Sequence, residues 1–448
     1  MTPLPSAFEA QMQDLLAADY PTFAEVLETP PPVSLHYNPR KPMLPLVASA
    51  TVPWYERGVY LAERPSFTLD PCFHAGAYYV QEASSMLIAA AVARCFPEPR
   101  PLRVLDLCAA PGGKSTLLAS ILPPGSWLLA NEVIRTRYQV LRYNLTKWGY
   151  DNTFSSNHDV ADFVGLAGFF DLVLVDAPCS GEGLFRKDLN ARSEWSPEHV
   201  QLCTARQGRI LDVARELVAP GGILLYSTCT YNRSENDTNA AVLAADPALT
   251  HEPLDFPAAW GLAPRTHGQQ AYPHRLAGEG FYLAAFRKAP SARSFQGISS
   301  AFHRLTPVPK KDQAAADAWA TPEANLQYYV TPSNNWRALA TPLVADAQIL
   351  ANHLHRLEVG TLLGEWKGQQ LIPSSNWALA TASNPNLPAV EVDAETALDF
   401  LRKGTPPIPE LPRGWTIVRH QGLNLGWAKG LGNRYNNYYP KHWRIRMQ

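Results

Sequence analysis

Residues 103–115 read RVLDLCAAPGGKS. A short apolar run ends at an acid, a glycine pair follows at 112–113, and helix-forming residues come next. A glycine turn between strand and helix lets backbone amides approach a ligand closely. On either side the same alternation of apolar strand and helical segment recurs. WLLANE (127–132), TFSSN (153–157), DLVLVDAP (171–178) and GILLYST (222–228) read as strands, and GFYLAAFRK (280–288) as a last one. The alternation predicts βαβ units on a parallel sheet, an α/β Rossmann-like core over 101–289.

Acids recur near successive strand ends: Asp106, Glu132, Asp159 and Asp176. In open α/β sheets this carboxyl edge is where ligands bind, and an acid about twenty residues past the glycine turn suits a ribose. Glu132 fills that role, and Asp159 is placed to take an adenine amino group. The acids disfavour a polyphosphate and suit S-adenosylmethionine, which carries a sulfonium and an ammonium. Any one acid alone reads equally well as a cap or turn residue; the set in register does not. A rival is the phosphate loop GxxxxGK[ST], which 108–115 nearly matches. Cys108 replaces its first glycine, and that loss together with Glu132 argues against a nucleotidase.

At 448 residues the chain exceeds the ~250–300 at which one core stops growing, so several domains are expected. Hydrophobic residues at 46% against 18% charged mark it as globular. A net charge of −1 means that RNA affinity must come from local patches. No apolar run approaches the ~20 residues of a membrane helix. The opening MTPLPSAFEAQMQ lacks the basic head and apolar run of a signal peptide. A cytoplasmic protein without a membrane partner is expected. Cys72, Cys95, Cys108, Cys179, Cys203 and Cys229 follow neither zinc nor disulfide spacing, so no metal is expected.

Two of these cysteines differ from the rest. The fourth strand ends in DAPCSGEG (176–183) and the fifth in YSTCTYNRSEN (226–236). Cys179 and Cys229 therefore fall at the carboxyl edge of adjacent strands, beside Asp176 and the cofactor loop. A lone strand-end cysteine is usually a small buried hydrophobe, the reading for the side chains of Cys95, Cys108 and Cys203. Two cysteines converging with an aspartate point to covalent catalysis.

The two cysteine motifs closely resemble those of the bacterial Sun (Fmu-type) family of RNA 5-methylcytosine methyltransferases. DLCAAPGGKS (106–115) and YYVQEASSM (78–86) are similar to that family's cofactor and amino-terminal motifs. The resemblance covers about 76–290. It implies a class I S-adenosylmethionine-dependent methyltransferase with Cys229 as nucleophile, Cys179 assisting release, and Asp176 contacting base and cofactor. Cys108, Ala109, Ala110, Pro111, Gly112, Gly113, Lys114, Glu132 and Asp159 would bind the cofactor. DNA cytosine methyltransferases use a Pro-Cys nucleophile, which would select Cys179. The second cysteine, in Ser-Thr-Cys-Thr, is the mark of the RNA enzymes.

The carboxy-terminal stretch 414–447 holds Arg419, Lys429, Arg434, Lys441, Arg444 and Arg446 with no acid, interleaved with Trp415, Trp427, Tyr435, Tyr438, Tyr439 and Trp443. Basic residues can hold phosphates and aromatics can stack on bases, although a small β-domain also needs such aromatics as core. The stretch resembles the PUA-like domain of RsmF-type enzymes, which act on 16S ribosomal RNA in the small subunit. SLHYNPRK (34–41) fits the same branch. The expected layout is an amino-terminal RNA-binding extension at 1–100, the catalytic domain at 101–289, an intermediate domain at 300–385 and a PUA-like RNA-binding domain at 386–448. The protein is expected to be a monomer whose partner is ribosomal RNA. A transfer-RNA methyltransferase and a non-catalytic ribosome assembly factor are the alternatives. Arg186 and Lys187, after the Cys179 loop, are candidate phosphate contacts or, equally, part of a solvated face. PSNNW (332–336) and PSSNW (373–377) form an internal echo that reads as duplicated hairpins or, with only two copies, equally as coincidence.

Overall fold

The computed structural model describes residues 2–368, 370–409 and 411–447; Gln448, the last residue of the basic tail, lies outside them. Its centre is a parallel sheet of β1 (Arg103–Asp106), β2 (Trp127–Asn131), β3 (Thr153–Ser156), β4 (Phe170–Asp176) and β5 (Val218–Thr228), with β6 (Phe281–Lys288) antiparallel to β5. The order is β3-β2-β1-β4-β5-β6. Leu172 through Val175 are fully buried, as expected for a central strand covered on both faces. Strand order reverses between β1 and β4, and a crevice opens at such a switch point.

Helices cover the sheet. The first, α1 (Gly113–Ile121), begins at Gly112, whose φ of 115° is a conformation that L side chains rarely adopt. The second, α2 (Arg135–Trp148), runs between β2 and β3. The third, α3 (Pro197–Leu217), starts where the Ser196 side chain accepts from the His199 amide and Pro197 occupies the first turn. Its buried stripe of Val200, Cys203, Gln207, Ile210, Leu211, Ala214 and Leu217 follows helical periodicity and faces the sheet.

The amino-terminal helices Ser6–Leu16 and Tyr20–Leu27 precede a four-stranded sheet built from Val33–Tyr37, Ala48–Val52, Tyr55–Leu61 and Tyr78–Val80. Past the core, 306–373 form a five-stranded antiparallel sheet, and strands between 389 and 437 form a four-stranded one. These parts share cores with one another. Trp336 and Trp377 pack with Trp415, Ile417 and Trp427. Leu35, Leu61 and Tyr78 pack with Phe400, Val418 and Tyr439. The strand Leu357–Glu358 pairs with Ser155 and Ser156, extending the catalytic sheet beyond β3. The echo at 332–336 and 373–377 does not mark duplicated hairpins. Trp336 lies on the strand Asn335–Ala340, whereas Trp377 lies on the helix Ser375–Leu379, because Ser374 caps that helix through the Asn376 amide.

Candidate active site

The carboxyl ends of the sheet open into a cavity of about 560 Å³. Cys108, Glu132, Asp159, Asp176, Cys179 and Cys229 all line it, as does Ala110. The remaining loop residues, Ala109 and Pro111 through Lys114, do not line it. Gly113 sits against Tyr79 of the amino-terminal sheet and Gln81 just beyond that strand, where a Cβ would come within 3.1 Å of the Tyr79 ring. Lys114 instead reaches across to donate to Asp176 at 2.8 Å.

The acids divide by surroundings. Asp106 points away from the cavity lining and accepts from Ser115 at 2.6 Å, while its other oxygen has no partner. Burial pushes its carboxyl up to about 7. Glu132 is 3% exposed, accepts from the Ile134 amide at 2.8 Å and lies 3.5 Å from Arg137. Asp159 caps the short helix Val160–Leu166 through the Ala161 amide, and Arg209 approaches it at 3.6 Å. Asp176 has both oxygens engaged, by Lys114 and by the Ser227 hydroxyl at 2.9 Å. Burial works against the Lys114 ammonium, but the Asp176 carboxylate prevails and holds it above its ordinary range. Glu132, buried at the β2 end, and Asp159 and Asp176 along the same lining suit the hydroxyls and the positive charge of S-adenosylmethionine.

The two cysteine sulfurs lie 3.1 Å apart. The Cys179 thiol is pushed well above its ordinary range, first by its contact with Cys229 and then by burial. Burial pushes Cys203 up to about 11 and Cys95 up to about 12, and neither lines the cavity. They are inert core thiols.

What holds the two loops together escaped the sequence reading. Glu235 accepts from the Ser180 amide at 3.0 Å, the Ser180 hydroxyl and Gln207 at 2.7 Å. Glu182 accepts from the Tyr231 amide at 2.9 Å, and from Trp195 and Gln11, each at 3.1 Å. Burial raises both carboxyls. The Gly183 amide donates to the Cys229 carbonyl at 2.8 Å, and a Cβ at 183 would sit 2.7 Å from that oxygen. Both glutamates stand inside the quoted motifs, so their presence was visible and their partners were not. Arg186 makes no phosphate-ready surface. Its guanidinium donates to the Thr29 and Pro30 carbonyls at 3.0 and 2.7 Å and lies 3.6 Å from Glu279.

The ribosomal RNA small subunit methyltransferase F of Erwinia tasmaniensis is 32% identical over 98% of this chain and 96% of its own length. This chain belongs to the methyltransferase F family. The Escherichia coli member is 31% identical over the same shares. Family models agree piecewise. The N-terminal domain of 16S rRNA methyltransferase RsmF matches 4–83, 16S rRNA methyltransferase RsmB/F matches 97–287, and the methyltransferase RsmF PUA domain matches 387–445. Among solved structures, a methyltransferase homolog from Pyrococcus horikoshii is similar, with a TM-score of 0.52 and 26% identity over 63% of this chain and 95% of that one. The methyltransferase F match extends past the catalytic core into both flanking parts, including 300–385.

Proposed function

We propose that this chain methylates carbon 5 of cytidine in 16S ribosomal RNA through a covalent adduct on Cys229. The enzyme is an S-adenosylmethionine-dependent RNA methyltransferase acting on ribosomal RNA; the base position, the adduct and the site residues are the proposal. The observation that carries it is the 3.1 Å approach of Cys179 and Cys229 beside the Asp176–Lys114 pair. S-adenosylmethionine supplies the methyl group.

Carbon 5 of cytosine is a weak nucleophile. The Cys229 thiolate adds to carbon 6, forming an S–C bond and moving electron density onto the ring. Asp176, held by Lys114 and Ser227, faces ring nitrogen 3 and steadies the adduct. Once carbon 5 has taken its methyl from the sulfonium, its proton passes to water and the S–C bond breaks to return the Cys229 thiolate, with Cys179 assisting that release. Glu132 accepts from ribose hydroxyls, and Asp159 receives the adenine amino group. The domains at 1–100, 300–385 and 386–448 present the RNA. The protein works as a monomer in the cytoplasm on RNA of the small subunit.

Bisulfite sequencing of ribosomal and transfer RNA from a strain lacking this chain tests the reading. One or more 16S cytidines should lose protection. Loss confined to transfer RNA would overturn the substrate.

A further inference from the structure

The cavity of the active site is not the only concave surface along α2. A second groove of about 510 Å³ lies where the later turns of α2 meet the carboxy-terminal tail. Gln139, Val140 and Tyr143 line one wall; Ser375, His442 and Trp443 line the other. The Trp443 and Tyr143 rings sit 5.0 Å apart. Among the described residues no acid lines this groove.

The same helix touches both sites. Ile134 and Arg137, at its start, line the active-site cavity, and Thr146, near its end, lines the groove. At about 1.5 Å per residue the helix spans ~18 Å between Ile134 and Thr146, room for roughly five nucleotides stacked at about 3.4 Å. Residues 133–150 contain Arg135, Arg137, Arg142 and Lys147 and no Asp or Glu; Arg137 lies 3.5 Å from Glu132, Arg142 lies 2.9 Å from Glu358 and Lys147 is buried, whereas Arg135 is exposed and pairs with no described acid. The tail across the groove, 411–447, is equally free of acids. Arg135, Gln139, Val140, Lys441 and His442 are exposed. Arg135 on the helix and Lys441, Arg444 and Arg446 on the tail are exposed cations that pair with no described acid, and the complement of such a set is a polyanion.

We propose that the α2–tail groove binds a single-stranded segment of the RNA substrate flanking the target cytidine. Arg135 and Lys441 face phosphates, and a base enters beside Trp443 and Tyr143, within reach of the Gln139 amide. Aromatic rings take any base by stacking, and polar groups beside them add preference. The groove thus sets which cytidine, a few nucleotides away, reaches Cys229. This deepens the RNA methyltransferase reading and rests on it.

The test uses the full chain with Arg135→Glu and, separately, Val140→Glu. Val140 is 48% exposed and α2 buries its other face, so both variants keep the fold. The substrate is deproteinised 16S ribosomal RNA, with assembled small subunits in parallel. Binding of S-adenosylmethionine should match that of the unaltered chain. The KM for RNA should rise about tenfold with kcat little changed. The slope of log affinity against log salt should fall by roughly one for Arg135→Glu, as for one lost phosphate contact. Unchanged RNA affinity and salt slope in both variants would overturn the groove. So would a defect seen only with assembled subunits, which would assign the surface to a ribosomal protein. Failure of the unaltered chain to methylate any RNA would sink the parent reading instead.

Discussion

The two cysteine sulfurs lie in contact at 3.1 Å, yet the proposal gives them different roles. Contact with Cys229 and burial both push the Cys179 thiol up, and the proposed roles assign attack to Cys229 and release to Cys179. Cys229→Ala removes the attacking sulfur, and methyl transfer should collapse without any protein–RNA complex on a denaturing gel. Cys179→Ala should still attack and methylate but fail to release, leaving a shifted covalent band. The double variant should behave like Cys229→Ala, because an adduct that never forms cannot be trapped. A covalent band in Cys229→Ala alone would reverse the roles. Glu132 offers a second test. Its carboxylate already accepts from the Ile134 amide, so Glu132→Gln keeps that turn while removing the charge. Cofactor affinity should weaken by ~1.5–3 kcal/mol, the worth of a charge-assisted hydrogen bond. Calorimetric titration showing an unchanged affinity would remove Glu132 from the site.

At the scale of elements, the amino-terminal helices brace the catalytic loops. Phe8, Met12, Phe23 and Leu27 pack against Phe185, Trp195 and Tyr231, which flank the two cysteine motifs. Gln11 bridges Glu182 and Asn232. Phe8→Ala should cost ~3–5 kcal/mol of local packing and lower kcat while leaving cofactor binding in place. A kcat equal to that of the unaltered chain would show that the loops hold their geometry alone. The neighbouring sheet carries a pH dependence. His36 is fully buried against Tyr79 and Trp148, and burial lowers its imidazole from 6.5 to about 3. Between those values the unfolded chain binds a proton that the folded chain refuses. Stability is therefore complete above about pH 6.5 and falls as the pH drops toward 3, by roughly a few kcal/mol in all. Denaturant titrations at pH 7 and pH 5 should show this loss, and His36→Gln should reduce it. An equal loss in both proteins would place the acid sensitivity elsewhere.

For the whole molecule, the shared cores make the carboxy-terminal part inseparable from the rest. A chain ending near 385 would leave Trp336 and Trp377 without Trp415 and Trp427, and Leu35 and Tyr78 without Phe400 and Tyr439. Each lost aromatic is worth about 3–5 kcal/mol. Truncation there should yield an aggregation-prone protein with weakened cofactor binding, seen as a lowered melting temperature even without RNA. A soluble truncated chain with unchanged cofactor affinity would mean that the tail packs loosely and only recruits RNA. The aromatics of the tail are split accordingly. Trp427 and Tyr439 are buried and serve the core, while Tyr438 is exposed.

The sequence by itself determined the catalytic sheet, the position of the cofactor loop and the two cysteines. These are local signals: strand and helix periods, a glycine turn, and motif residues that fall at strand ends whatever surrounds them. The family followed from the same motifs. Only the tertiary structure decided what Glu182 and Glu235 hold, why Gly183 must lack a side chain, and that Arg186 is spent on the Thr29–Pro30 carbonyls. Gln11 and Asn232 are 221 residues apart, and neither helical spacing nor residue type records such a pairing. The identical-looking Trp336 and Trp377 segments became strand and helix for the same reason. Local pattern proposes an element, but burial against distant partners selects among the elements that pattern allows.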